Sequence, residues 1–239
     1  GYEAAYAAED VIIETREMLC KMFHFDKIKN VIFTPSITYS LNYIIKGYLR
    51  AGDHVLVSAM EHNAMMRPLT QMLEHGVEFD RVPCNQQGEL LIDQMEGMIR
   101  PNTKAVLMLH ASNVCGTLMP VEQVGQLCKK HGLTFILDAA QTAGAFPIDM
   151  EKMNIDVLTF TGHKSLLGPQ GIGGFVIEDA QDFDEFLHDT TPHWDYIDQD
   201  VMKKMKNCET SVTLYVADNP QGMELSLIHI SEPTRLDVI

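Results

Sequence analysis

The chain has 239 residues, of which 46% are hydrophobic and 21% are charged, a composition typical of a globular protein with a buried core. Its formal net charge of −15 at pH 7 would repel phosphate backbones, which argues against a nucleic-acid-binding protein. No apolar run approaches the roughly 18 residues needed to cross a bilayer, and the first residues lack the basic and apolar regions of a signal peptide.

Cysteine usage in this chain points away from metal binding. The five cysteines are scattered, odd in number and form no C-x-x-C pair, so they predict neither a zinc site nor a disulfide framework. Reduced thiols in a cytoplasmic protein are the simplest interpretation. Because the sequence begins with Gly1 rather than Met, we expect the natural start to lie upstream.

Residues 30–177 alternate between short apolar or β-branched runs and stretches with helical spacing. The strand-like runs are Val31 to Phe33, Val55 to Val57, Val77 to Val82, Ala105 to Leu109, Thr134 to Leu137, Val157 to Phe160 and Gly174 to Ile177. The helical stretches are Thr38 to Leu49, Ala64 to Glu74, Ile92 to Ile99 and Val121 to Lys130, with Gly76 and Gly132 where two left-handed caps are expected. This alternation predicts an α/β domain with a mainly parallel, seven-stranded sheet flanked by helices, in which ligands bind at the carboxyl ends of strands.

The composition changes after residue 178. Residues 179–224 begin with an acidic stretch, which predicts a solvated surface or a poorly ordered segment of uncertain origin. Residues 225–239 include Leu225 to Arg235, a run that resembles the translation of a transposon adapter used in preparing sequencing libraries. We therefore interpret 225–239 as a sequencing-adapter scar, with an ordinary amphipathic tail as the alternative, and place the predicted domain at 1–178.

A lysine directly follows one of the predicted buried strands. Lys164 ends the stretch that begins at Phe160, and a glycine-rich turn, Gly168 to Gly174, comes next. A desolvated lysine titrates far below its usual pKa of about 10.4, as an imine-forming lysine needs, and the glycines would let the backbone approach a flat ligand. A surface lysine on a glycine loop is an equal alternative from these residues alone.

A carboxylate ends another predicted strand. The apolar run Thr134 to Leu137 would bury Asp138 unless a cation met it, and a protonated pyridine nitrogen is such a cation. A charge-assisted hydrogen bond of this type contributes roughly 1.5–3 kcal/mol. Asp138 as the N-cap of a following helix is the alternative. Because Asp138 and Lys164 are separated by enough residues for one further strand, we expect both at the same edge of the sheet.

Several motifs resemble, in the same order, those of the cysteine desulfurase branch of the class V aminotransferases. They are Gly52-Asp53-His54-Val55, Met60-Glu61-His62-Asn63, His110-Ala111-Ser112-Asn113-Val114-Cys115-Gly116-Thr117, Asp138-Ala139-Ala140-Gln141 and Thr161-Gly162-His163-Lys164. A series of ordered motifs is far more specific than any one of them alone. The resemblance implies the large domain of a fold-type-I enzyme that binds pyridoxal 5'-phosphate, here without the family's small C-terminal domain.

The resemblance also implies roles for residues of this sequence, with no metal ligand among them. Lys164 would hold the cofactor as an imine and move protons, His62 would stack on the ring and assist in acid–base steps, and Asp138 would pair with the pyridine nitrogen. The ring hydroxyl would contact Gln141 and Asn113, and the phosphate would contact Thr38, Thr161 and His163.

The chain departs from the family pattern at the expected phosphate site and further along the chain. Ser36-Ile37-Thr38 stands where the family usually has Gly-Thr-Thr or Asn-Ala-Thr, so we expect one phosphate contact fewer. The family's nucleophilic mobile-loop cysteine and its distal substrate-binding arginine have no match. Cys208 lies in different surroundings and is interpreted as an ordinary thiol, and Cys115 is interpreted as a packing residue.

The function implied is a cysteine desulfurase-like conversion of L-cysteine to L-alanine with enzyme-bound persulfide sulfur. The expected partners are an amino acid, a second copy of the full-length chain in a homodimer, and a sulfur-acceptor protein, with neither nucleic acid nor membrane. A selenocysteine lyase or another class V aminotransferase is the first alternative. An inactive, truncated fragment is the second.

Overall fold

The computed structural model describes residues 2–178, which contain five α-helices and seven strands. The helices are α1 (Tyr2–Met22), α2 (Ile37–Tyr48), α3 (Asn63–Met72), α4 (Ile92–Met95) and α5 (Val121–His131). The strands are β1 (Val31–Thr34), β2 (His54–Ser58), β3 (Glu78–Val82), β4 (Thr103–Leu109), β5 (Thr134–Asp138), β6 (Val157–Thr161) and β7 (Gly173–Ile177). The predicted acidic segment and adapter scar lie outside the described residues.

The seven described strands form one sheet in the order β1-β7-β6-β5-β4-β2-β3. Strands β2 to β6 pair with one another in parallel, whereas β7 is antiparallel to both β1 and β6. The predicted α/β domain with a mainly parallel, seven-stranded sheet is therefore confirmed. Among the described residues, no helix is long and apolar enough to cross a membrane.

The central strands are buried on both faces because helices cover both sides of the sheet. Alternate strand residues point to opposite faces, so Leu56 belongs to one apolar cluster while Val55 and Val57 belong to the other. The first cluster includes α1 and α5 residues such as Leu19 and Val124, and the second is built largely from α2 and α3. The core is thus two apolar layers separated by the sheet.

Helix termini follow the local chemistry of the sequence. Gly76 and Gly132 adopt the left-handed conformation, with φ of 79° and 64°, which confirms the predicted caps. Ser36 caps α2 by accepting a hydrogen bond from the Tyr39 N–H at 3.5 Å. Helix α1 has no counterpart among the predicted elements, because several of its apolar side chains, including Val11 and Met18, are exposed and weaken the amphipathic pattern.

Helix α5 packs against the turn before β6 more closely than a side chain would allow. A Cβ atom on Gly125 would overlap the carbonyl oxygen of Met153 and lie 3.5 Å from Cβ of Asn154. At Gly97, in the short helical turn after α4, an added Cβ meets no heavy atom within 4 Å. Replacing Gly97 by alanine therefore changes helix propensity alone, whereas the same change at Gly125 also introduces a steric clash.

We expect Gly125→Ala to lower the free energy of unfolding by about 1–3 kcal/mol, because the clash outweighs the roughly 1 kcal/mol that Ala contributes in a helix. The matched control Gly97→Ala should leave stability unchanged or raise it. Urea unfolding followed by circular dichroism measures both. Equal stability of the two variants would mean that α5 does not approach Met153 in this way.

Candidate active site

A pocket of about 170 Å³ lies at the carboxyl ends of the parallel strands. Turns and helices that follow β1, β2, β4, β5 and β6 supply its lining. All eight residues proposed from the sequence line this pocket: Thr38, His62, Asn113, Asp138, Gln141, Thr161, His163 and Lys164. Their placement around one cavity does not by itself assign their roles, which follow from the chemistry of each group.

Asp138 is the last residue of β5, and only 5% of its surface is exposed. Its Oδ1 atom accepts a hydrogen bond from the Ala140 N–H at 2.9 Å. Burial raises the pKa of Asp138 above its usual value, while the charges of Lys164 and His62 act in the opposite direction. Asp138 is thus a buried carboxyl group that faces a cavity, and Lys164 and His62 lie close enough to influence its ionisation.

The turn that carries Lys164 is held by backbone contacts that need glycine. The Gly162 N–H donates to the carbonyl of Ile172 at 2.8 Å, and the Gly168 N–H donates to the carbonyl of Gly162 at 2.8 Å. A Cβ atom on Gly144 would lie 2.6 Å from the carbonyl oxygen of Ser165, so this turn packs directly on the connection after β5. Lys164 is therefore placed by the chain that follows Asp138.

The end of β6 and the start of α2, each with a hydroxyl side chain, form the other end of the pocket. Thr161 Oγ1 lies 3.1 Å from His163 Nδ1, so these two side chains form a hydrogen bond whose donor depends on the histidine tautomer. Thr38 stands in the first turn of α2, where unpaired N–H groups favour an anion. Ile37 also lines the pocket but is buried, and its side chain offers no hydrogen-bond donor.

His62 is the N-cap of α3 and has an exposed side chain at the pocket wall. Its Nδ1 atom accepts a hydrogen bond from the Ala64 N–H at 3.0 Å. Because Nδ1 acts as an acceptor here, the neutral ring carries its proton on Nε2. The cap thus fixes both the ring orientation and the nitrogen that can donate a proton.

Two neighbouring residues differ from the sequence interpretation or were missed by it. Cys115 is exposed rather than packed, so that interpretation is wrong: the thiol lies on a turn, and Sγ is 3.3 Å from Thr117 Oγ1. Hydrogen bonds from Ser112 and Thr117 lower the pKa of Cys115 to about 7. Glu61 stands in one of the family motifs without an assigned role, yet its carboxyl group accepts a hydrogen bond from the Leu109 N–H at the end of β4. The sequence indicated this role only through the position of an acidic residue directly before His62.

The aminotransferase class-V family model matches residues 1–209. The chain belongs to this family. Among curated relatives, the class-V chain is similar to the cysteine desulfurase IscS of Vibrio campbellii, with 31% identity over 181 residues, and to that of Shewanella denitrificans, with 29% identity. Each alignment covers 74% of this chain and 44% of the relative, so the chain spans less than half the length of these relatives.

Solved structures of similar fold agree with this family membership. SspA in complex with cysteine has 30% identity and a TM-score of 0.69, covering 74% of this class-V chain and 51% of its own. The apo cysteine desulfurase of Thermococcus onnurineus NA1 has 28% identity and a TM-score of 0.68, covering 73% and 44% respectively. The sheet and flanking helices of residues 2–178 are therefore those of this enzyme family.

Cys115 should be the most readily alkylated thiol among the described residues, because it is exposed and has a lowered pKa, whereas Cys20 and Cys128 are buried. Iodoacetamide labelling followed by peptide mass mapping measures each site. The Cys115 rate should rise with pH and reach half its maximum near pH 7, since the thiolate is the reactive form. A midpoint near 8.5, the value for a free cysteine, would contradict the proposed hydrogen bonding.

Proposed function

We propose that residues 1–178 form the pyridoxal-phosphate-binding domain of a cysteine desulfurase-like enzyme. The single observation that carries this proposal is the convergence of a buried carboxyl group, Asp138, and an amine, Lys164, on one pocket. The family to which the chain belongs and its cysteine desulfurase relatives support it. Residues 179–224 and 225–239 keep the separate assignments proposed from the sequence.

The residues around the pocket fit pyridoxal phosphate group by group. The protonated ring nitrogen of the cofactor would pair with Asp138, because a buried carboxylate is costly without a positive charge beside it. The start of α2 supports an anion site for the phosphate. Gln141 and Asn113 would contact the hydroxyl group of the cofactor ring, and His62 would stack on the face of that ring. The phosphate group would contact Thr38, Thr161 and His163.

When bound, pyridoxal phosphate supplies an electron sink that stabilises charge at the substrate Cα. Lys164 would bind the cofactor aldehyde, and its released amine would accept the Cα proton and return it. Asp138 would keep the ring nitrogen protonated, which that stabilisation requires. His62 would donate from Nε2, because its Nδ1 is already engaged by the Ala64 N–H.

For the whole protein we propose L-cysteine as substrate and an enzyme-bound persulfide as the form of the released sulfur. The names of the IscS relatives and the cysteine complex of SspA support a sulfur-containing amino acid. No cysteine or arginine lines the pocket that the structure describes, so we assign the sulfur-accepting thiol and the carboxylate-binding arginine to other parts of the protein. A cytoplasmic homodimer that passes sulfur to an acceptor protein completes the proposal.

Two alternatives use the same pocket. A selenocysteine lyase or another class V aminotransferase would need the same lysine and aspartate, because both reactions begin with proton removal at Cα. The second alternative is a fragment that holds the cofactor without completing a turnover.

Pyridoxal phosphate added to the purified chain should give the yellow absorbance of a lysine-bound cofactor. Lys164→Ala should abolish this signal, because no other amine lines the pocket within the described residues. The control Lys152→Ala, which changes an exposed lysine paired with Glu122, should keep it. Equal colour in Lys164→Ala would show that another lysine reacts and that the site assignment is wrong.

Product analysis separates the three functions. The cofactor-loaded chain, supplied with L-cysteine and a thiol reductant, should release sulfide and L-alanine in equal amounts if it is a complete desulfurase. Transfer of the amino group to an added 2-oxo acid without sulfide would favour the aminotransferase. Lysine-bound cofactor without any product would favour the fragment.

A further inference from the structure

The carboxyl group of Glu61 joins the turn after β2 to the end of β4. Its Oε1 atom accepts a hydrogen bond from the Ser58 hydroxyl at 2.5 Å, and both of its oxygens lie 3.1 Å from the Leu109 N–H. Leu109 lines the pocket and is paired with Asp138 across the sheet. The residue after Glu61 is His62, so this carboxyl group fixes the turn that carries the pocket histidine.

Glu61 holds this position without a cation. Among residues 2–178, no lysine, arginine or histidine forms an ion pair with it, and its hydrogen-bond donors are the neutral Ser58 and Leu109. Two other titratable groups lie near it, the carboxyl of Asp138 on β5 and the thiol of Cys84 after β3. Burial raises the pKa of Glu61 to about 8, outweighing the hydrogen bonds from Ser58 and Leu109, which lower the pKa, and the charge of Asp138 adds to the rise.

The charge of Asp138 thus makes ionisation of Glu61 less favourable. Two neighbouring carboxylates in a desolvated site repel each other, so the proton goes to the group with fewer cationic neighbours. Asp138 has Lys164 and His62 nearby, and both favour its charged form. Glu61 has no such neighbour, and a protonated carboxyl can share the short hydrogen bond to Ser58 in either direction.

We propose that Glu61 is a positioning residue of the cofactor site: its carboxyl group carries a proton at neutral pH, fixes the His62 turn to β4, and leaves the negative charge of the pocket to Asp138. The inference rests on the proposed function, because that function gives His62 and Asp138 their roles toward the cofactor. Glu61 itself does not line the pocket.

The proton on Glu61 has a test that needs no cofactor. The pKa of this carboxyl group is raised on folding, from 4.5 to about 8. Between these two values the folded state binds a proton that the unfolded state has released, so the free energy of unfolding falls as the pH rises. Relative to Glu61→Gln, wild-type stability should therefore fall between about pH 5 and pH 8. The ratio of the two unfolding equilibrium constants should change about tenfold per pH unit.

Urea unfolding of wild type, Glu61→Gln and the exposed control Glu74→Gln at several pH values measures this ratio. Glu74→Gln should show no such pH dependence relative to wild type. A flat ratio for Glu61→Gln would show that Glu61 is ionised in the folded protein and would overturn the proton assignment.

The positioning role is tested by titrating pyridoxal phosphate into the same proteins. Glu61→Ala removes the acceptor for the Leu109 N–H and should weaken cofactor affinity at least tenfold, because a buried donor is left unpaired. Glu61→Gln, a neutral group of the same shape, should lose less than threefold. If Glu61→Ala does not fold, Ser58→Ala removes one of the two donor residues and should weaken affinity about threefold.

The outcomes separate this inference from the proposed function. Wild type that fails to bind pyridoxal phosphate would refute the proposed function, while the unfolding series would still decide the proton on Glu61. Wild type that binds the cofactor, with Glu61→Ala binding equally well, would refute the positioning role alone.

Discussion

The pocket is organised around one buried carboxyl group, that of Asp138. Asp138 sits at the end of a fully covered strand, and its desolvation opposes ionisation. Such a group is costly unless positive charge completes its surroundings. Lys164 and His62 approach this carboxyl group from two separate turns and oppose the effect of its burial.

Close backbone contacts hold those turns in place. Gly144 allows the lysine turn to rest on the connection after β5, and Gly173 allows β7 to approach the start of α2, since a Cβ there would lie 2.7 Å from the Ile37 nitrogen. The turn with Lys164 packs against Gly144, and the start of α2 packs against Gly173, so both are held by contacts that a larger residue would prevent. The antiparallel strand β7 thus contributes to the pocket although it supplies none of the eight proposed residues.

Two carboxyl groups with the same chemistry have different tasks because their neighbours differ. Asp138 faces the pocket, Lys164 and His62, whereas Glu61 faces a hydroxyl and a backbone amide. The first is suited to hold charge next to a ligand. The second is suited to hold a turn, because a neutral carboxyl accepts hydrogen bonds without adding repulsion to its neighbour.

The sequence by itself determined the seven strands, most of the helices and the glycine caps, because apolar periodicity and left-handed turns are local properties of the chain. It also predicted the group of residues around the pocket, because parallel strands bring their carboxyl ends to one edge of a sheet. Only the tertiary structure decided the strand order, the antiparallel direction of β7, the exposure of Cys115 and the contacts of Glu61. Each of these depends on segments distant in sequence, such as Glu61 and Leu109, whose contact leaves no periodic signal in the chain.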